Sequence, residues 1–183
     1  MHYCVFVLIP QDGDIDLKVA TALAPFDDDL PAPPYKHHLH PSEIQAMARH
    51  YKLKKNDWKK LATQMEDWRG GLGGIDERGL FFVSTMNPQA HWDWYEIGGR
   101  WDGHIPGNVL SVPALLKRRD LKSLLPAALV TPGGSWHQRE TFVTDSWLHG
   151  RFESKSERDW LIEVRETLGS YPEHRVVCVD VHN

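Results

Sequence analysis

The two ends of the chain constrain its fold more than any other feature, because each carries an apolar run of β-prone residues. The first run covers residues 2–9 (HYCVFVLI) and the second covers residues 175–181 (RVVCVDV). Apolar residues occupy odd and even positions alike, which is typical of strands that are covered on both faces of a sheet. We therefore expect both ends of the chain to lie in one sheet, close to each other.

Between these ends the sequence alternates helical patterns with short strand-like runs. Trp58, Leu61 and Met65 recur at helical spacing and predict a buried helix face. Residues 80–85 (LFFVST) predict a further strand. The sequence therefore predicts an α+β fold with a mixed or antiparallel sheet that includes both terminal strands, with three to five helices packed on it.

A length of 183 residues favours a single domain, residues 1–183. Within it we expect an irregular loop rich in Pro and His at about residues 27–41 and a glycine-rich loop at residues 70–79. The glycine-rich segment lacks the Lys-Ser/Thr pair of a Walker A loop, and Asp76 occupies the position where a dinucleotide-binding motif needs its last glycine. This segment predicts a flexible connection and not a phosphate-binding loop.

Charge and cysteine content exclude several classes of partner. The 21 basic and 25 acidic side chains give a formal net charge of −4, which argues against generic DNA binding, since phosphate neutralisation needs surplus Lys and Arg. The first apolar run is too short to span a bilayer and follows no basic segment of a signal peptide. Cys4 and Cys178 lie in the terminal runs and predict two free thiols in neighbouring strands. We therefore expect a cytoplasmic protein without a membrane partner.

One segment, residues 87–103 (NPQAHWDWYEIGGRWDG), concentrates aromatic and charged side chains around a Gly-Gly pair. Glycine lets the backbone pass close to a neighbouring group, and an arginine beside exposed amides can receive a carboxylate or a phosphate. Tryptophan offers a stacking surface for a base or a sugar. The candidate ligand-binding residues are Trp92, Trp94, Tyr95, Arg100, Trp101 and Asp102. The candidate catalytic acids or bases are Asp93, Glu96 and His137. The alternative interpretation is a structural plug in which these charges pair with one another.

A second group of polar residues belongs to the terminal strands. Asp180 and His182 are two residues apart in a strand and therefore point to the same face. His2 begins the other terminal strand, so we expect it nearby, and His137 follows a turn that could open toward the same place. Asp180 and His182 are weak candidates for a metal site, and a buried Asp180 needs a partner. The sequence identifies no cofactor.

The segment WDWYEIGGRW, residues 92–101, resembles the WDWYxIGGRW motif of a family of uncharacterised bacterial and phage-associated proteins. Further segments are similar to that family in the same order along the chain: residues 23–27, 47–51, 84–88, 130–133 with 136–137, and 179–182. Gly134-Ser135 departs from the family pattern, in which an acidic residue precedes the tryptophan. The family has no established activity, so the resemblance implies a group of related proteins and not a mechanism.

Two classes of function fit these observations. The first is a protein that binds a small phosphorylated, nucleotide-like or carboxylated ligand in a pocket at residues 92–102. Its enzymatic form would be an acid/base or metal-assisted hydrolase. The second is a non-enzymatic phage or mobile-element protein whose aromatic motif is structural and whose surface binds a host or phage protein.

Overall fold

A computed structural model describes residues 1–144 and 150–183 of the chain. The chain forms two compact units, whereas its length favours a single domain. The first unit comprises Met1–Leu30, Asn87–Thr141 and Ser154–Asn183. The second unit comprises Pro31–Met86 and Phe142–Glu153.

Helices and strands are both well represented in the described residues. The helices are α1 (Ile15–Leu23), α2 (Pro41–His50), α3 (Trp58–Thr63), α4 (Met65–Arg69), α5 (Val112–Leu116) and α6 (Glu157–Gly169). The strands are β1 (His2–Pro10), β2 (Tyr35–His38), β3 (Gly73–Asp76), β4 (Gly79–Ser84), β5 (Trp94–Ile97), β6 (Val109–Ser111), β7 (Ala128–Val130), β8 (Trp136–Gln138), β9 (Glu140–Thr144), β10 (Gly150–Ser154) and β11 (His174–His182). Among the described helices, none is both long enough and apolar enough to cross a membrane.

The larger sheet belongs to the first unit and contains both terminal strands. Its strand order is β5-β11-β1-β7-β8, and β6 also pairs with β11. Because β1 is antiparallel to β11 and parallel to β7, the sheet is mixed. Helices α1, α5 and α6 lie in the same unit. The predicted α+β fold, with a mixed sheet that includes both terminal strands, is confirmed.

Both faces of the larger sheet are covered, which explains why its central strands are apolar at almost every position. Phe6 faces one core layer, together with Leu115 of α5 and Trp160 of α6. Val7 faces the opposite layer, together with Val19 of α1. Successive side chains of β1 therefore pack in different core layers, as the alternation of side chains along a strand requires.

The second unit contains a three-stranded sheet of order β2-β4-β3, together with α2, α3 and α4. Here the structure differs from the sequence prediction, because β2 lies within the predicted loop 27–41 and β3 lies within the predicted loop 70–79. The apolar strand β4 needs backbone partners on both sides, and backbone groups can supply them whatever the side chains are. Gly73 also permits close packing, since a Cβ there would lie 2.3 Å from the Cβ of Met65.

The two cysteines are free and buried in neighbouring strands, as the sequence predicts. Cys4 lies on β1 and Cys178 lies on β11, with their Sγ atoms 3.6 Å apart. The neighbouring thiol and burial both raise the pKa of Cys4 above the ordinary value for a thiol. The two thiols therefore belong to the core of the first unit.

We expect neither thiol to react readily while the protein is folded. Cys4 is 4% exposed and Cys178 is 0% exposed, so a reagent in solution reaches neither sulfur without opening of the sheet. The raised pKa of Cys4 also reduces its thiolate fraction, and the thiolate is the reactive form. Ellman's reagent should react with both thiols in denaturant and with neither in buffer over the same time. Rapid reaction in buffer would contradict this burial.

Candidate functional site

The candidate site lies where three strands of the larger sheet reach the same end. The antiparallel strands β5 and β11 pair Trp94 with His182 and Glu96 with Asp180. On the other side of β11, strand β1 pairs His2 with His182. Because side chains alternate between the two faces, these five side chains lie on one face of the sheet. The terminal runs and the central motif therefore meet in space.

A buried carboxylate connects these segments. Asp180 is 1% exposed, and each of its oxygens has a hydrogen-bond partner. Its Oδ1 lies 3.1 Å from Nδ1 of His2, and its Oδ2 accepts the backbone N–H of Arg100 at 3.0 Å. These bonds offset the cost of burying the carboxylate. An ionised carboxylate at Nδ1 places the imidazole proton on that nitrogen and leaves Nε2 of neutral His2 as an acceptor.

The Gly98-Gly99 pair brings the backbone onto Asp180. Gly99 has a φ of +52°, in the left-handed region that favours glycine. A Cβ at this position would lie 2.5 Å from the Cβ of Asp180 and 2.8 Å from its Oδ2. Glycine therefore allows the main chain to approach closely enough for the Arg100 N–H to bond the carboxylate.

A depression that is open to solvent, with a volume of about 610 Å³, lies beside these residues, and we call it the terminal pocket. Five residues singled out in the sequence line it: Trp94, Glu96, Arg100, Asp102 and Asp180. The lining is completed by His2, Ile97 and Gly99. The volume lies within the range typical of small-molecule sites, roughly 300–1,000 Å³.

Some charged groups of the terminal pocket are already hydrogen-bonded within the protein, and others are not. Asp180 is bonded through both oxygens, and Oδ1 of Asp102 accepts Nδ2 of Asn108 at 2.6 Å. The carboxylate of Glu96 and the guanidinium of Arg100 are exposed, and within the residues that the structure describes neither forms a hydrogen bond or an ion pair. The pocket thus offers one anion and one cation that no described side chain has engaged.

The aromatic residues of the motif divide between the terminal pocket and the core. Trp94 is 45% exposed and forms part of the pocket wall. Trp92 is buried, and its Nε1 donates to the carbonyl oxygen of Leu23 at 2.9 Å. Trp101 packs against the core layer below α6, and Tyr95 packs on the opposite face of the sheet from Trp94. Of the four aromatic candidates for ligand contact, Trp94 is the one that lines the pocket.

Two of the three candidate acid–base residues lie outside the terminal pocket, and Glu96 lines it. Asp93 is exposed, with its Oδ1 2.7 Å from Nδ1 of His182. His137 lies on β8, at the opposite edge of the sheet from β5, with its Nδ1 3.2 Å from Oε1 of Glu163 on α6. The turn before His137 does not open toward the terminal pocket, because β7 and β1 separate β8 from β11.

The exposed Asp93–His182 pair gives the site a measurable pH dependence. The hydrogen bond from His182 holds the pKa of Asp93 below its ordinary value. Because folding lowers the pKa of Asp93, the pair stabilises the folded protein at pH values above the ordinary carboxyl pKa. This stabilisation is lost as the pH falls through the lowered pKa of Asp93. In carbon NMR titrations, His182→Ala should move the pKa of Asp93 upward. His137→Ala is the matched control and should leave it unchanged, whereas equal Asp93 titrations in wild type and His182→Ala would contradict the pairing.

The part of the chain that the structure describes contains one compact group of three possible metal ligands, namely Asp27, Asp28 and Asp29. Their ligand oxygens lie within 4.8 Å of one another, and two of the three residues are exposed, as acidic groups commonly are without a metal. The weak metal candidates Asp180 and His182 do not belong to this group. Each of them is bonded to another side chain, and their arrangement implies no particular cofactor.

The three other lining residues differ in how readily the sequence predicts their place in the terminal pocket. His2 follows from the pairing of the terminal strands, and Gly99 follows from the close approach that a Gly-Gly pair permits. Ile97 is an ordinary apolar strand residue, and nothing in the sequence marks it as part of a pocket. Its place in the lining depends on where β5 ends.

No protein-family description, no curated protein and no solved structure matches this chain. The resemblance to the WDWYxIGGRW family stays a prediction. Evidence on function therefore comes from the residues and the geometry of the terminal pocket.

Proposed function

We propose that this protein binds a small ligand with an anionic group in the terminal pocket. The observation that carries the proposal is that five residues singled out from two distant parts of the sequence line one cavity of about 610 Å³. The volume falls within the range of small-molecule sites, and the mostly polar lining favours a polar or charged ligand. The central motif supplies four of these residues, and β11 supplies Asp180.

Each lining group has a distinct role in this proposal. Arg100 offers a guanidinium that binds a carboxylate or a phosphate through two parallel hydrogen bonds. Trp94 offers an exposed ring on which a planar or apolar part of the ligand packs. Glu96 accepts hydrogen bonds from hydroxyl or amino groups. Asp180 is a positioning residue, because it holds His2 and the backbone of Arg100.

Thermal unfolding with a panel of nucleotides, sugar phosphates and small carboxylic acids tests this proposal. At least one compound should raise Tm, as a ligand that binds only the folded state does. Arg100→Ala should stay folded and lose most of that shift, because its side chain is exposed. Arg165→Ala removes a matched exposed arginine from α6 and should keep the full shift. If no compound moves Tm of the wild type, the proposal fails and the non-enzymatic interaction protein becomes the better hypothesis.

A second candidate function, hydrolysis, is favoured by the bond between Asp180 and His2. A buried carboxylate at Nδ1 fixes the imidazole tautomer whose Nε2 accepts a proton from an attacking water molecule. This geometry supports His2 as a general base in the terminal pocket. The proton would pass from the water to Nε2 and then to the leaving group as the scissile bond breaks.

Hydrolysis of p-nitrophenyl esters and phosphate monoesters tests this second function. We expect His2→Gln to lower the rate about 100-fold or more, the usual contribution of a general base. His137→Gln alters a histidine whose carboxylate partner lies outside the terminal pocket, and it should remain as active as the wild type. Equal rates for His2→Gln and wild type, or no hydrolysis by either, would exclude this reaction and leave the binding proposal standing.

A further inference from the structure

The charges of the terminal pocket narrow the class of ligand, an inference that rests on the proposed function. We infer that the ligand is a zwitterion that carries an ammonium group and a carboxylate, as a free amino acid does. The starting observation is that Glu96 and Arg100 line the same cavity, and within the described residues neither forms an ion pair. Two opposite charges that share a pocket without pairing offer two separate contacts to one ligand.

The other carboxylates of the terminal pocket are already engaged. Asp180 is bonded through both oxygens, to His2 and to the backbone of Arg100. Asp102 accepts a hydrogen bond from Asn108 at 2.6 Å. Glu96 is therefore the one lining carboxylate, and Arg100 the one lining guanidinium, that no described side chain bonds, while Asp102 keeps one oxygen without a partner. Complementary charges on the ligand are one ammonium and one anionic group.

A single carboxylate fits this pocket better than a phosphate monoester does. Three carboxylates, those of Glu96, Asp102 and Asp180, line the cavity with one arginine. A dianionic phosphate on Arg100 would be repelled by these groups, whereas a carboxylate carries half that charge. An ammonium group on the same ligand is attracted by the acidic majority of the lining. The charge balance therefore favours an amino acid over a nucleotide or a sugar phosphate.

Trp94 and Ile97 add an apolar wall beside the charged groups. Trp94 is 45% exposed and lies two residues before Glu96 on the same strand, so both side chains face the terminal pocket. The body of an aromatic or aliphatic amino acid can pack on this ring while its ammonium group reaches the carboxylate. The ring face also attracts the ammonium group directly.

Three matched compounds test the inference by isothermal titration calorimetry. L-phenylalanine carries both charges, phenylpropionate lacks the ammonium group, and phenethylamine lacks the carboxylate, while all three share the aromatic body. We expect L-phenylalanine to bind at least about tenfold more tightly than either analogue, because it alone makes both charged contacts. Equal or tighter binding of phenylpropionate or of inorganic phosphate would overturn the zwitterion and still support an anion-binding pocket.

Two variants assign the two charged contacts. Glu96→Gln should remove the preference for L-phenylalanine over phenylpropionate, and Arg100→Ala should remove the preference over phenethylamine. Glu166→Gln and Arg165→Ala alter exposed residues of α6 and should leave all three affinities unchanged. If none of the three compounds binds while another member of the broad panel raises Tm, the zwitterion is overturned and the proposed function stands. If the panel is also without effect, both are overturned.

Discussion

Replacing Gly99 by Ala should lower the free energy of unfolding by about 3 kcal/mol, the sum of a backbone cost and a packing cost. The left-handed backbone, with φ at +52°, costs an alanine about 1–2 kcal/mol. The added Cβ would lie 2.5 Å from the Cβ of Asp180, and relieving such overpacking costs about 1–3 kcal/mol. The displaced turn would also weaken the bond from the Arg100 N–H to Asp180. Urea unfolding followed by circular dichroism measures the loss.

Gly103→Ala is the matched control for this effect. Gly103 lies in the same segment and has a φ of +74°, but a Cβ there would meet nothing within 4 Å. We therefore expect only the backbone cost of about 1–2 kcal/mol. The difference between the two variants measures how closely the Gly-Gly backbone approaches Asp180. Equal losses in the two variants would contradict that close approach.

The central strands of the larger sheet can be predicted because the pattern of apolar residues within each terminal run is a local property of the sequence. Apolar residues at odd and even positions of the two terminal runs indicate strands covered on both faces, and β1 and β11 do pair along their whole lengths. Strand parity then places Asp180 and His182 on one face, and the pairing of His2 with His182 completes that end of the site. The parity step uses only the position of a residue in its strand, whereas the sequence predicts only that His2 lies nearby, and its pairing with His182 comes from the structure.

The second unit shows where local patterns are insufficient. Trp58 shares a helical spacing with Leu61 and Met65, yet it is 40% exposed while the other two are fully buried. The helix pattern is interrupted, because α3 ends at Thr63 and α4 begins at Met65, so one continuous helical stripe does not form. A tryptophan at the first residue of α3 therefore lies at the edge of the packed face. Only the tertiary structure shows this break.

The division of the aromatic motif is also invisible in the sequence. Trp92 and Trp94 are two residues apart, so a continuous strand would place both on one face. Strand β5 begins at Trp94, however, and Trp92 precedes it as part of a bridge to Asp27. The indole of Trp92 is fixed by the carbonyl of Leu23, which is distant in sequence. A contact between distant segments thus decides which tryptophan lines the terminal pocket.

Asp180 likewise forms contacts with segments that are distant from it in the sequence. Its two hydrogen bonds join β11 to His2 at the start of β1 and to Arg100 in the central motif. Three segments that are far apart in the sequence therefore meet at one carboxylate. The carboxylate is 1% exposed, so both of its oxygens rely on partners within the protein. Its removal should affect stability and ligand binding together.

Asp180→Ala should lower the free energy of unfolding by about 1–3 kcal/mol, because a partly buried N–H loses its acceptor. An unsatisfied donor costs about 1–3 kcal/mol when it is buried, and the Arg100 N–H lies beside the terminal pocket, where water reaches part of it. His2 loses the group that orients its ring, and the wall of the terminal pocket loses a side chain. We therefore expect any compound that raises Tm of the wild type to have little effect on this variant. Urea unfolding and ligand-induced thermal shifts measure the two losses.

Two further variants separate burial from charge at this position. Asp180→Asn keeps an oxygen that accepts the Arg100 N–H, so it should recover more than half of the lost stability. Asp93→Ala breaks the other Asp–His pair and should change the free energy of unfolding little, because exposed ion pairs contribute little to stability. If Asp93→Ala lowers the free energy of unfolding as much as Asp180→Ala does, the loss comes from breaking an Asp–His pair and not from the burial of the carboxylate. That outcome would contradict the central role of the buried carboxylate, because His182 and His2 would then be equivalent partners.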